Sequence, residues 1–217
     1  MREDYTAVAF IVDRSGSMSG YVDDTIGGIN TFIEDQRKLE GDVSFSLVLF
    51  DDKVETPYDF VDLKEVPEVT SEVYFTRGWT SLLDAIGTTV NGLGARLAAM
   101  DEADRPSKII VAVLTDGAEN HSTEFTGPQI KEMIERQEKD YKWDFSFLSA
   151  DLSSFENATQ NWGFQASKSV HYDLNCSDSA YSALSSKTSM MRSCATADEA
   201  LLCADFSVKD RKDMGEK

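Results

Sequence analysis

Asp13, Ser15 and Ser17 stand at alternate positions in Asp-Arg-Ser-Gly-Ser, directly after the apolar run Val8-Ala-Phe-Ile-Val12. A continuous apolar run that stops at a Ser/Gly turn reads as a strand buried on both faces. Asp13 then lies at the carboxyl end of that strand, where side chains from neighbouring loops converge. One carboxylate and two hydroxyls, with Gly16 between the serines, can curl around a hard cation. Such oxygen donors suit Mg²⁺ or Mn²⁺ better than zinc. The same residue types also build turns by bonding to their own backbone, so the motif carries weight only if other elements share its geometry.

Two others do. The second strongly apolar run, Lys108 to Thr115, ends at Asp116-Gly117 as the first ends at Asp13. Thr80 closes the loop Thr76-Arg-Gly-Trp-Thr80, which opens a helix leading into that second run. In an open parallel sheet, ligands bind outside the carboxyl ends of the strands, where strand order reverses. The two most apolar strands are expected as central neighbours, so Asp13, Ser15, Ser17, Thr80 and Asp116 should meet at one point. Two buried carboxylates repel one another unless a cation lies between them. Two carboxylates and three hydroxyls leave part of an octahedral shell to water or an outside ligand.

The elements that must position these residues alternate as β-α-β-β-α-β-α-β-α-β-α. Strands are expected near 5–12, 43–50, 54–59, 108–115, 143–148 and 169–174. Val22, Ile26, Ile29 and Ile33 mark one face of a first helix, 22–39. Leu82, Leu83, Ile86, Val90, Leu93 and Leu97 mark a second, running to about Met100. Capping boxes are read at Ser81/Asp84, at Thr126/Gln129 with Pro128 in the first turn, and at Ser153/Glu156. The segment 54–59 follows its predecessor too closely for a crossover, so it should pair antiparallel, and Pro57 places it at an edge. The fold class is α/β, a three-layer sandwich with a mostly parallel sheet and helices on both faces. Residues 1–176 are read as the domain and 177–206 as a C-terminal helical extension with Tyr181, Leu184, Thr188 and Met191 in helical register. Residues 207–217 offer little to bury and are expected to fray.

The chain of 217 residues carries 21 basic and 39 acidic side chains, a net charge of −18. That charge argues against nucleic acid or an anionic membrane as partner. No apolar run reaches the roughly 18 residues of a membrane helix, and the N-terminus lacks the shape of a signal peptide. Cys176, Cys194 and Cys203 match no zinc spacing, and reduced thiols in a cytoplasmic protein are expected.

Asp13-Arg-Ser-Gly-Ser17, Thr80 in its Arg-Gly-Trp-Thr loop, and Leu-Thr-Asp116-Gly resemble, in order and spacing, the metal-ion-dependent adhesion site of von Willebrand factor A domains. Asp23-Asp-Thr-Ile-Gly-Gly-Ile-Asn30 and Ser81-Leu-Leu-Asp-Ala-Ile-Gly87 look like a compact, intracellular bacterial or phage branch. The resemblance runs from about Tyr5 to about Leu174. It implies a Rossmann-like six-stranded sheet ordered 3-2-1-4-5-6. It implies that Asp13, Ser15, Ser17, Thr80 and Asp116 hold Mg²⁺ or Mn²⁺, with a protein partner's Asp or Glu as the last ligand. An AAA-class ATPase in the same system is a further partner that the family suggests. The loops would then present Arg14, Met18, Tyr21, Arg77, Trp79, Glu119, Asn120 and His121 as a partner-binding rim. Trp79 and Arg77 are the best anchors by type, although Trp79 could equally pack as core.

Two other readings compete with a binding module. One is a structural subunit of a phage or bacterial assembly, its metal holding the fold. The other is a metal-assisted hydrolase. For the latter, Gly16-Ser-Met-Ser-Gly20 sets Met18 where a nucleophile elbow needs serine, His121 is the only histidine on these loops, and no phosphate-cradling Gly-x-x-x-x-Gly-Lys-Ser/Thr loop is present.

Overall fold

A computed structural model describes residues 1–216. Six strands, β1 (Arg2–Asp13), β2 (Asp42–Phe50), β3 (Val54–Asp62), β4 (Pro106–Thr115), β5 (Asp144–Ser149) and β6 (Ser169–His171), form one sheet ordered β3-β2-β1-β4-β5-β6. Every neighbouring pair is parallel except β2 and β3. The hairpin is antiparallel because only three residues join its strands, too few for a crossover. Pro57 falls within β3, the edge strand, as its missing N–H requires.

Strand β1 lies at the centre and feeds both faces of the sheet. Val8, Phe10 and Val12 point into one core with Ile29, Phe32 and Ile33 of α1 (Val22–Arg37). Ala7, Ala9 and Ile11 point into the other, with α2 (Leu82–Ala99), α3 (Gly127–Tyr141) and α4 (Leu152–Asn161). A period of two across a strand apolar on both faces yields two cores of similar size. The layer with α1 is completed by α5 (Ser177–Ser193), which buries Tyr181, Leu184, Thr188 and Met191. Helices α1 and α5 approach so closely that a Cβ at Gly28 would run into the Tyr181 ring. Residues 177–193 are therefore a layer of the same sandwich.

Two more short helices follow, α6 (Ala197–Leu202) and α7 (Val208–Asp213). The fraying expected of 207–217 is not what the described residues do, and Lys217 lies outside them. Ser207 and Asp210 form a capping box, Arg211 donates to the carbonyls of Ala166, Ser167 and Ser169, and Met214 is fully buried. One apolar side chain and one arginine anchor a segment that hydropathy alone gives nothing to hold. Among the described residues no helix is long and apolar enough to cross a membrane.

Three local expectations are revised. Ser81 is the N-cap of α2 but its side chain makes no cap bond, and Asp84 turns away to another loop. Helix α4 is capped by Asp151, whose carboxylate accepts from Ser154 N, rather than by Ser153. Strand β6 ends at His171, three residues short of Leu174. The box at Thr126/Gln129, with Pro128 behind it, is present.

Candidate functional site

Strands β1 and β4 are hydrogen-bonded neighbours, and their carboxyl ends bring Asp13 and Asp116 to one end of the sheet. Asp13 is fully buried. Its Oδ1 accepts from Ser15 N at 2.7 Å and its Oδ2 from Thr115 Oγ1 at 2.5 Å. The short 3-10 turn Gly16–Gly20 carries Ser17 back over the strand end. There Ser17 Oγ donates to Asp116 Oδ1 at 2.7 Å and lies 3.0 Å from Ser15 Oγ. Gly117 marks the centre: a Cβ at that position would stand 3.5 Å from Ser17 Oγ, 3.5 Å from Thr80 Oγ1 and 3.8 Å from Asp13 Oδ2. The five residues singled out by type and spacing thus line one small cradle, which the absent glycine side chain leaves open.

Burial pushes the Asp13 carboxyl up to about 6; the hydrogen bonds from Thr115 and Ser15 oppose this, and the nearby Asp116 charge adds to it. Asp116 is also raised, chiefly by burial, with Asp151 contributing and the Ser17 hydroxyl opposing. The two carboxylates share one region, and the charge on one disfavours ionisation of the other. Among the described residues no three His, Cys, Asp or Glu side chains gather as a metal cluster. The donors at the cradle are two carboxylates and three hydroxyls, hard oxygens that fit a cation of the Mg²⁺ class.

The Thr80 loop is held by contacts that sequence reading missed. Thr80 N donates to Asn120 Oδ1 at 3.0 Å, and Thr80 O accepts from the backbone of Asn120 and His121. Glu119 caps α2 by accepting from Leu83 N, and it also takes Ser122 N and the Ser122 hydroxyl. Asp84, in the first turn of α2, accepts in return from the backbone N–H groups of Thr123, Glu124 and Phe125 at 2.8–2.9 Å. Helix α2 and the loop after β4 therefore cap each other, fixing Thr80 against Asp116. Asp84→Ala removes the acceptor for three N–H groups. It is expected to cost about 2 kcal/mol and to speed hydrogen exchange at 123–125 while the β4 amides stay protected.

Behind the cradle, Tyr74 Oη donates to Asp13 O at 2.7 Å, and Ser154 Oγ to Gly117 O at 2.8 Å. Neither residue belongs to a motif. Thr115 was visible in Leu-Thr-Asp-Gly, but its role as the donor that orients Asp13 appears only in the folded chain.

The rim divides into two groups. Arg14 and Met18 are buried, at 1% and 4% exposure, and are corrected from rim to interior. Arg14 turns under the loop to Asp51 at 2.8 Å and Glu55 at 2.7 Å, charge contacts whose N–H directions lie off the hydrogen-bond line. Arg77 meets the same two carboxylates at 2.5 Å each, and the pair of arginines holds Glu55 below the usual carboxylate range. Arg77 is half-buried and committed to this network. Glu119 and Asn120 serve the loops, and Tyr21 is half-buried at the start of α1. Trp79, 64% exposed, and His121, also exposed, remain on the surface, their rings stacked at 6.4 Å and 22°. Trp79 is thus surface rather than core.

The same architecture occurs in known proteins. It is similar to proximal thread matrix protein 1 from the mussel byssus, at 15% identity and a TM-score of 0.53, over 85% of this chain and 46% of that one. It is also similar to a von Willebrand factor type A protein from Catenulispora acidiphila, at 12% identity and a TM-score of 0.57, over 85% of this chain and 43% of that one. At such identities the likeness is one of fold, and the chain spans less than half the length of either. No curated protein matches the sequence. The family model for the von Willebrand factor type A domain matches residues 7–143, ending at Trp143 just before β5, whereas the fold itself continues through β6. That match spans more than half of the chain and takes in every residue of the cradle, and the chain belongs to the von Willebrand factor type A domain family.

Proposed function

We propose that the domain is a metal-dependent protein-binding module, in which Asp13, Ser15, Ser17, Thr80 and Asp116 hold Mg²⁺ or Mn²⁺ directly or through water. The observation that carries this reading is the convergence of Ser17, Thr80 and Asp13 around Gly117, with Asp116 hydrogen-bonded to Ser17. A cation bound there would supply an oxygen-seeking position at the surface, and an Asp or Glu of a partner protein is the ligand we assign to it. The chain's own residues do the positioning. Thr115 and Ser15 N orient Asp13, the α2 cap locks Thr80, and the exposed Ser17 hydroxyl can leave Asp116 to turn toward an ion. A chain of net charge −18 repels an acidic partner at long range. The partner's carboxylate is therefore expected to sit within a basic rim, with Trp79 and His121 as the contact surface beside the metal.

Calorimetric titration of the chelator-treated protein with Mg²⁺ and Mn²⁺ tests the site. One bound ion is expected for the natural chain. Asp116→Ala should weaken binding by at least about 100-fold, and Thr80→Ala by about 10-fold, because the first removes a charged donor and the second a neutral one. No heat with either ion, at concentrations that saturate ordinary oxygen-ligand sites, would overturn the metal assignment.

A further inference from the structure

Cys194 follows the last turn of α5, and Cys203 follows the last turn of α6. Thr196 caps α6 by accepting from Glu199 N, and the Glu199 carboxylate accepts in turn from Ala195 N, which folds the chain back tightly between the two helices. That reversal brings the two sulfurs to 3.9 Å, with Cys194 Sγ also 3.3 Å from Met190 O. Both thiols are half-buried. Cys176 sits elsewhere, beside Gly215 and Asp173. The two sulfurs are in van der Waals contact, and a disulfide at about 2 Å requires them to close by only about 2 Å. Both cysteines lie at helix ends, where rotation about χ1 and a small backbone adjustment can supply that movement.

We propose that Cys194 and Cys203 are a reversible redox pair, closed into a disulfide by exchange with a small disulfide such as oxidised glutathione. In the first step one thiolate attacks a glutathione sulfur. The S–S bond of glutathione breaks, one glutathione leaves as thiolate, and a mixed disulfide forms. The second cysteine, as thiolate, then attacks the protein sulfur of that mixed disulfide and expels the other glutathione. Two protein thiols are oxidised, one glutathione disulfide is reduced to two thiols, and the two thiol protons pass to solvent or to the departing thiolates. Burial and the neighbouring Cys203 push the Cys194 thiol up, and either cysteine can open the exchange because the other stands in position to resolve the mixed disulfide.

The cross-link acts on a segment with little strength of its own. Helix α6 has six residues, too few to be stable without packing. It leads to Ala204 and Phe206, both in the core, and the Phe206 ring lies 5.1 Å from the Lys187 ammonium. The disulfide closes a ten-residue ring across this return and holds 194–206 against α5. The redox state of the surroundings thereby sets how firmly the base of the molecule is closed, at the end of β4 opposite the Asp116 cradle.

The test uses the whole chain, folded, in buffers of oxidised and reduced glutathione, with intact mass, peptide mapping and thermal melting as readouts. The oxidised sample is expected to lose two hydrogens per molecule, with a mapped Cys194–Cys203 peptide and Cys176 still open to alkylation. Its melting temperature should rise by about 5 °C, as for a short closed loop in a chain of this size. Excess reduced glutathione should reverse both changes. Cys194→Ser and Cys203→Ser preserve shape and should each abolish the gain. Stable addition of a glutathione at either cysteine without ring closure, or pairing that involves Cys176, overturns the proposal.

Discussion

Asp144→Ala is expected to lower the unfolding free energy by about 3–5 kcal/mol, the cost of leaving buried charge unpaired. Asp144 opens β5 with no exposed surface and lies 2.8 Å from Lys187 of α5 and 3.1 Å from Lys168. Both lysines are almost fully buried. Lys168 has a second carboxylate, Glu138, at 3.6 Å, whereas Lys187 meets the Ser146 hydroxyl and the Phe206 ring besides Asp144, with the Asp205 charge acting from further off. Burial already holds Lys187 below the ordinary lysine value, with Asp144 opposing that shift and Lys168 and Asp205 acting in opposite senses. Removing Asp144 lowers it further. A lysine depressed in the folded state loses stability as pH falls below its unfolded value, so the variant should recover part of its loss between neutral pH and pH 10. Asp144→Leu combined with Lys187→Met removes both ends of the tighter pair and should lie closer to the natural chain than either single change. Urea denaturation of Asp144→Ala, Lys187→Met and the double variant checks this. A loss below about 1 kcal/mol in Asp144→Ala would show that the network does not fasten α5 to the sheet.

The second large effect is a pH dependence that a cation should erase. Burial raises the Asp13 carboxyl from an ordinary 3.8 to about 6. A carboxyl raised in the folded state favours folding below 3.8, and that contribution is lost as pH rises through about 6. In chelator, the natural chain should therefore lose about 3 kcal/mol from this group between pH 4 and pH 7. Asp116, raised for the same reason, acts in the same direction. Saturating Mg²⁺ should restore the loss above pH 6, because an ion between the carboxylates replaces the proton that relieved their repulsion. Asp13→Asn cannot ionise and should be flatter over the same window, in chelator and in Mg²⁺ alike. An equal slope in Asp13→Asn would place the effect in the protein's overall acidity instead of this carboxyl.

The regularities that fix the sheet are short in sequence, so they were legible before the structure. Apolar runs of five to eight residues, a hairpin too short for a crossover and a proline on one strand place β1 and β4 at the centre and β3 antiparallel at the edge. The ends of those runs locate Asp13 and Asp116, because a strand's carboxyl terminus is also where its apolar run stops. Spacing similarly exposed Ser15, Ser17 and Thr80. The rim was not legible in the same way. Arg14 stands between two site residues in sequence, yet its guanidinium is drawn inward by Asp51 and Glu55, which lie on a hairpin about 40 residues away. Asp84 had the spacing of a cap for its own helix and instead serves a loop 39–41 residues further on.

The sequence by itself therefore determined the topology and the inventory of oxygen donors, since both follow from local periodicity and from residue types at strand ends. The tertiary structure decided which way each polar side chain turns. A buried charge or N–H group must be satisfied by whatever partner is within reach, and reach is set by packing distances that sequence separation does not record. Lys187 with Asp144, Thr115 with Asp13, and Cys194 with Cys203 are pairs of that kind. Each is unremarked in the linear chain and fixed only when two elements meet.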